Sequence, residues 1–149
     1  MLRTIVGVIV GFLVLFGLLF VSFTAAYAVL GPDRAFQPGT YEVSTLWIAV
    51  GVAFWLGAGL AGGYVCARIA RRRAVANTLF TLVLALGLLG AMIGIVGRQG
   101  GESAPRTGDV SSADARSRAE PPTWAALLSP VIGAAGVLVG GRRRDLPPD

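Results

Sequence analysis

Four long runs of apolar residues, separated by short polar segments, dominate the chain. They cover about residues 4–30, 45–67, 74–96 and 123–140, and none of them contains Asp, Glu, Lys, Arg or His. At a rise of about 1.5 Å per residue, each run is long enough as a helix to cross a hydrocarbon layer about 30 Å thick. The pattern predicts an all-α integral membrane protein, with residues 1–149 forming a single membrane domain folded as an antiparallel four-helix bundle.

The polar segments between the runs complete the predicted organisation. Residues 31–44 form a short outer loop with turn-forming Gly-Pro and Pro-Gly pairs, and Ser44 or Thr45 is able to cap the next helix. Residues 68–73 form an arginine-rich hairpin between two spans. Residues 98–122, with four charges of each sign, predict a disordered outer loop. Residues 141–149 form a short tail.

The first run starts close to Met1, so a secretory signal peptide is the alternative to a membrane span. The sequence Ala26-Tyr27-Ala28 has the small-x-small pattern of a cleavage site. The apolar stretch from Ile5 to Leu30 is nevertheless longer than the apolar core of about 7 to 15 residues in a signal peptide. An uncleaved membrane anchor is therefore the favoured interpretation.

The distribution of arginine predicts the orientation of the chain in the membrane. Eight arginines lie on the side of the two termini, and five lie on the other side. Because positively charged loops stay in the cytoplasm, we expect both termini and the hairpin to be cytoplasmic. The residues that act as topological signals, and that are also able to contact anionic lipid, are Arg68, Arg71, Arg72, Arg73, Arg142, Arg143 and Arg144.

Each predicted span carries a pair of glycines four residues apart. Small residues at this spacing let two helix backbones approach closely. The pairs predict helix packing within the bundle, with a dimer seam on at least one helix as the alternative. They are Gly7 and Gly11, Gly59 and Gly63, Gly90 and Gly94, and Gly136 and Gly140. Trp55 lies in the middle of a span, where it also needs a packing partner.

Composition excludes several classes of function. One cysteine, Cys66, and no histidine exclude an internal disulfide, a CxxC pair and a His/Cys metal site, so we expect no cofactor. Every carboxylate lies in a loop or the tail, and Asp109, Ser111, Ser112 and Asp114 fall in the predicted disordered loop, so we expect no enzyme. The net charge of +5 comes from arginines that flank the spans, which speaks against nucleic-acid binding.

The polar groups inside the spans are few and uncharged. Proton pumps and transporters usually keep an ionisable residue within the membrane, and these spans have none. A hydroxyl within a helix is able to bond to the carbonyl one turn earlier, which is the ordinary expectation here. If the hydroxyls instead converge on one cavity, a homo-oligomeric channel or uncoupled transporter becomes the alternative. The hydroxyl residues are Ser22, Thr24, Thr78, Thr81 and Ser129.

Two segments resemble small uncharacterised bacterial four-span inner-membrane proteins. They are residues 62–70, with the sequence GGYVCARIA followed by arginines, and residues 122–133, with the sequence PTWAALLSPVIG. The resemblance covers parts of the second and fourth spans; it implies a multi-pass protein of the bacterial inner (plasma) membrane and brings no site residues. Small multidrug transporters fit less well, because their first span carries a glutamate that residues 4–30 lack. Dual-topology fluoride channels fit less well because the arginine bias predicts one orientation.

These observations lead to an expected role. We expect a non-catalytic structural or accessory subunit that is packed through small residues. Its expected partners are the lipid bilayer and either another membrane protein or further copies of the same chain.

Overall fold

A computed structural model of the chain describes residues 2–71, 74–98 and 118–142. These residues form α1 (Leu2–Leu30), α2 (Pro32–Ala35), α3 (Thr45–Ala70), α4 (Ala74–Arg98) and α5 (Thr123–Gly141). Within the described ranges there is no β-strand, only two isolated β-bridges. The long helices α1, α3, α4 and α5 pack against each other, which confirms the predicted all-α four-helix bundle.

The four long helices are apolar and long enough to cross a membrane, as expected of a multi-pass membrane protein. Each predicted span lies within one of these helices. The helices extend up to three residues beyond the predicted spans, for example to Ala70 in α3 and to Arg98 in α4. The extensions of α1, α3 and α4 each contain an arginine. Helical hydrogen bonding is able to continue past such a residue, because a long charged side chain is able to reach water.

Local signals determine where α1 ends and α3 begins. Gly31 follows α1 with a positive φ of 74°, a conformation that glycine adopts without a steric penalty, and its N–H donates to the carbonyl of Tyr27 at 2.9 Å. Ser44 precedes α3, and its Oγ accepts a hydrogen bond from the N–H of Trp47 at 3.2 Å. The predicted helix cap at Ser44 is therefore confirmed, and it satisfies one of the backbone donors at the start of α3.

The connection between α3 and α4 is short. Arg71 follows α3 in the left-handed conformation, with φ 56°, and its N–H donates to the carbonyl of Ala67 at 2.8 Å. The next long helix begins at Ala74, so the chain reverses within a few residues. The other two arginines of the predicted hairpin, Arg72 and Arg73, lie outside the described residues.

The helix α3 is central in the bundle. It packs against α1 on one side and against α5 on another, and α5 also packs against α4. Although α3 and α4 are joined directly, they contact each other less than either contacts α5. Residue numbers rise together across the contact of α3 with α5, from Gly59 on Gly133 to Gly63 on Val137, so these two helices run parallel. Among the described residues, the most extensive helix contact is thus between helices that are not neighbours in sequence.

The interior of the bundle is apolar. The largest fully buried side chains come from all four long helices: Leu15, Cys66, Leu79, Val83 and Val137. Across the described ranges, no polar or charged residue is buried. The helices are therefore held together by van der Waals packing of apolar side chains and small residues.

Residues 31–44 and 118–122 fold together over one end of the bundle, and we call this unit the cap. Phe36, Tyr41 and Val43 are buried in it together with Ala35. An antiparallel bridge joins Phe36 to Val43, and the N–H of Ser44 donates to the carbonyl of Ala35 at 2.9 Å. The segment predicted as a short loop therefore has an apolar core of its own.

The prediction of a disordered loop over residues 98–122 is wrong for residues 118–122. The N–H of Glu120 donates to the carbonyl of Tyr41 at 2.9 Å, the N–H of Val43 donates to the carbonyl of Glu120 at 3.2 Å, and Ala119 packs on the cap core. Polar composition did not reveal this contact, because backbone pairing requires no apolar side chains. Residues 99–117 lie outside the described ranges, and so do residues 143–149 of the predicted tail.

Candidate functional site

The helices α3 and α5 contact each other through their backbones, and two glycines of α3 make this contact possible. A Cβ atom at Gly59 would overlap the carbonyl oxygen of Gly133, and a Cβ at Gly63 would overlap the carbonyl oxygen of Val137. A backbone oxygen cannot rotate away as a side chain does. Glycine at these two positions is therefore a condition for the observed distance between the helices.

The glycines of α5 contribute to the same contact from the other side. A Cβ at Gly136 would lie 2.8 Å from the carbonyl oxygen of Leu56, and a Cβ at Gly140 would overlap the carbonyl oxygen of Leu60. The structure thus brings the predicted glycines of the second and fourth spans together in one seam. We call this contact of α3 with α5 the glycine seam.

The glycines of α1 face the other side of α3. A Cβ at Gly7 would lie 2.9 Å from the carbonyl oxygen of Cys66, and a Cβ at Gly11 would lie 2.8 Å from that of Gly62. Cys66 itself is buried where α1, α3 and α4 meet, and its thiol donates to the carbonyl of Val75 at 3.8 Å. Cys66 therefore occupies a small apolar packing position.

The glycine pair of α4 lies elsewhere. Leu79 and Val83 are fully buried, but further along the same face of the helix a Cβ at Gly90 would meet nothing within 4 Å, and Gly94 is half-buried. The helix α4 thus packs on α5 as far as Gly87, where a Cβ would lie 2.4 Å from the Cβ of Pro130, and Gly90 one turn later is open. The close helix packing predicted at Gly90 is not made within this bundle. It stays a prediction and requires a partner outside the bundle.

Trp55 has a packing partner in the middle of the membrane helices. A Cβ at Gly133 would lie 2.6 Å from the Trp55 ring, so the indole lies directly on the α5 backbone at this glycine. On the α1 side, Phe16 meets the same indole edge to face, with ring centroids 6.5 Å apart. Trp55 thus links three helices, which explains a large aromatic residue at mid-span.

Hydrogen bonds within the same helix engage most of the five hydroxyl groups of the spans. Three of them donate to the carbonyl four residues earlier, which satisfies the hydroxyl without a partner helix. The donor and acceptor pairs are Thr24 to Phe20 at 2.6 Å, Thr81 to Asn77 at 3.0 Å, and Ser129 to Ala125 at 2.7 Å.

The hydroxyl groups also lie at opposite ends of the bundle. Ser22 and Thr24 are in the last third of α1, near the cap, whereas Thr78 and Thr81 are in the first third of α4, near the hairpin. Thr78 and Thr81 are exposed on the bundle surface. The hydroxyls therefore do not converge on a shared cavity within one chain.

The end of the bundle opposite the cap carries a group of arginines that we call the arginine layer: Arg3, Arg68, Arg71 and Arg142. All four side chains are exposed. The Nη1 of Arg68 donates to the hydroxyl of Tyr64 at 3.0 Å, one turn earlier on the same helix. The other arginines that were predicted as topological or lipid-binding residues, Arg143 and Arg144 among them, lie outside the described residues.

A groove of about 330 Å³ opens at the cap end. It is lined by Gln37, Glu42, Val43 and residues 120–123. A parallel bridge pairs Glu42 with Glu120, which places two carboxylate residues side by side. The sequence did not predict this groove, because its two walls are far apart along the chain and meet only through backbone pairing.

The described residues bring together no cluster of three or more metal-ligating side chains. Their carboxylates, Asp33, Glu42 and Glu120, all belong to the cap. The loop residues that come closest in sequence to a catalytic group, 109, 111, 112 and 114, lie outside the described ranges.

Comparison with known proteins gives no match: no protein-family model, no curated protein and no solved structure is similar to this chain. The resemblance of residues 62–70 and 122–133 to small bacterial four-span proteins therefore stays a prediction.

Proposed function

We propose that the protein is a non-catalytic bacterial inner-membrane protein that acts as a structural or accessory subunit. The observation that carries this proposal is the apolar interior of the bundle, in which no described polar or charged residue is buried. An ion or polar solute that crosses a membrane needs polar groups to replace its hydration shell. Among the described residues, the interior of one copy contains no row of polar groups that could replace a hydration shell. The glycine seam also brings α3 and α5 into backbone contact, which leaves no space for a path between them.

The charge distribution supports an orientation with both termini in the cytoplasm. The arginine layer places four exposed arginines at one end of the bundle. At the cap end, the described basic residues Arg34, Arg98 and Arg118 are accompanied by three carboxylates. Because short arginine-rich segments stay in the cytoplasm, we assign the arginine layer to the cytoplasmic face and the cap to the outer face.

The alternative function is a channel or uncoupled transporter formed by several copies. A path between copies would be lined by groups that face away from the bundle, such as Thr78, Thr81 and the open glycine Gly90 on α4. This alternative requires a homo-oligomer, whereas an accessory subunit requires a different membrane protein as its partner.

Purification from the native membrane in a mild detergent tests the proposal. We expect the tagged chain to co-purify with one other membrane protein in a fixed ratio, as shown by particle mass and protein identification. Gly90→Leu and its neighbour Leu89→Ala are suitable matched variants, because both change an exposed position of α4. A homo-oligomer without a foreign protein, dissociated by Gly90→Leu alone and able to pass ions in liposomes, would establish the channel instead.

A further inference from the structure

The arginine layer is a single layer in space, although its members are distant in sequence. A Cβ at Gly7 would lie 3.2 Å from the Cβ of Ala70, so Arg3, one turn before Gly7, lies just beyond the end of α3. Gly141 lies against Ala76, so Arg142 follows α5 at the level of the first turn of α4. Contacts between helices thus bring together charges from both ends of the chain and from its middle.

One member of the layer is held in position. The Arg68 guanidinium donates to the Tyr64 hydroxyl at 3.0 Å and uses one of its five N–H donors there. The planar guanidinium presents its donors in a fork that matches two oxygens of a phosphate group. A topological signal requires only positive charge on one side of the membrane, so it does not account for a tyrosine that orients the guanidinium.

Opposite charge is absent from this end among the residues that the structure describes. Asp33, Glu42 and Glu120 all lie in the cap, at the other end of helices that are long enough to cross a membrane. The ends of such helices lie at the level of lipid headgroups, where tyrosine side chains also prefer to lie. The ligand that matches the layer in charge, and that is always present at this depth, is the phosphate of an anionic phospholipid.

We propose that the arginine layer binds the headgroup phosphate of anionic phospholipid, with Arg68 as the central ligand and Tyr64 as its positioning residue. Arg3, Arg71 and Arg142 supply further positive charge around the same headgroups. This inference is independent of the proposed function, because an accessory subunit and a channel would both present the layer to the same leaflet.

Lipid titration of the purified full chain in a neutral detergent tests the inference. Native mass spectrometry measures occupancy by phosphatidylglycerol and by phosphatidylcholine, which have similar acyl chains and differ in net charge. We expect the chain to retain phosphatidylglycerol in preference to phosphatidylcholine. Arg68→Gln should weaken phosphatidylglycerol binding roughly fivefold, which is the effect of one basic residue near an anionic surface.

Three further variants distinguish a specific phosphate-binding site from non-specific electrostatic attraction between the arginines and the lipid surface. Arg34→Gln removes an exposed arginine of the cap and should leave phosphatidylglycerol binding unchanged. Arg68→Lys keeps the charge but loses the planar fork, so it should retain only part of the binding, and Tyr64→Phe should weaken binding while the net charge stays the same. Arg71→Gln provides a second test of the layer should Arg68→Gln fail to fold.

The proposal is overturned by equal binding of the two lipids, or by equal losses in Arg34→Gln and Arg68→Gln. Wild-type affinity in Tyr64→Phe would contradict the role of Tyr64. A phosphate group is carried both by a lipid headgroup and by free inorganic phosphate. Competition with excess inorganic phosphate distinguishes these two ligands. If phosphate alone displaces bound phosphatidylglycerol, the layer is a site for soluble anions, and the lipid assignment is wrong.

Discussion

Gly63 of α3 lies directly against the carbonyl oxygen of Val137 of α5, so that a Cβ atom at residue 63 would overlap that oxygen. The atoms in the way belong to the backbone, and a helix backbone yields only by moving as a whole. The short distance between α3 and α5 therefore requires that residue 63 has no side-chain methyl group.

We predict that Gly63→Ala destabilises the bundle, whereas Gly57→Ala does not. Gly57 lies on the same helix, but a Cβ there would meet nothing within 4 Å. Both substitutions bring the same gain in helix propensity, so their difference isolates the contact with α5. Gly63→Ala should cost about 1–3 kcal/mol, as expected for overpacking, in unfolding by SDS or heat in mild detergent. Equal stability of the two variants would show that the seam is not closely packed in solution.

We predict that Phe36→Ala opens the cap. Phe36 is only 3% exposed, and its ring contacts those of Tyr27 and Tyr41, with centroids 6.5 and 5.8 Å away. Loss of a buried phenyl ring costs about 3–5 kcal/mol in a protein core. The neighbouring Arg34 should then become a site for trypsin, detected as a new fragment by mass spectrometry.

The control for the cap is Gln37→Ala, which truncates an exposed side chain next to Phe36. It should leave cleavage at Arg34 at the wild-type rate. If both variants are cut as slowly as the wild type, the buried aromatic residues do not hold the cap in place.

We predict that the thiol of Cys66 is unreactive in the folded protein. Its side chain is fully buried between α1, α3 and α4. A maleimide should therefore label the protein only after denaturation in SDS, with the label counted by intact mass. Gln37→Cys adds an exposed thiol and should be labelled at once in the folded state. Rapid labelling of Cys66 in mild detergent would indicate that α1 or α4 separates readily from α3.

We predict that the cap faces the outside of the cell. In a Cys66→Ala background, Gln37→Cys should react with a membrane-impermeant maleimide in intact cells. Arg142→Cys, at the arginine layer, should react only after the membrane is permeabilised. The reverse pattern would place both termini outside and would contradict the orientation inferred from the arginines.

Much of the secondary structure could be predicted from the order of residues alone. Absence of charge identified the four spans to within three residues, because a charge inside the membrane is costly at any position of a helix. Ser44 was identifiable as a helix cap because its hydroxyl accepts a bond from the adjacent turn. Both signals are local, so neither depends on which helices later meet.

The partners of the glycines could not be predicted in the same way. Gly59 and Gly90 begin identical Gly-xxx-Gly pairs in two uncharged spans, yet Gly59 lies on the α5 backbone and Gly90 faces open space. In a soluble protein, the polar face of a helix shows which side is exposed. In a membrane, lipid is as apolar as the protein interior, so both sides of the helix have the same composition.

The cap shows a second limit of local patterns. Residues 118–122 look like the end of a polar linker, but Glu120 exchanges two backbone hydrogen bonds with residues 41 and 43. Backbone groups are the same in every residue, so this pairing leaves no trace in composition.

The order of residues therefore determined that the chain forms four membrane-crossing helices and where its charges lie, since both follow from the free energy of placing each residue in lipid or water. Only the tertiary structure decided that α3 pairs with the parallel helix α5, that Gly90 of α4 faces outward, and that two distant segments close into a cap. These features depend on the fit between surfaces that are equally apolar, and shape rather than polarity distinguishes one partner from another.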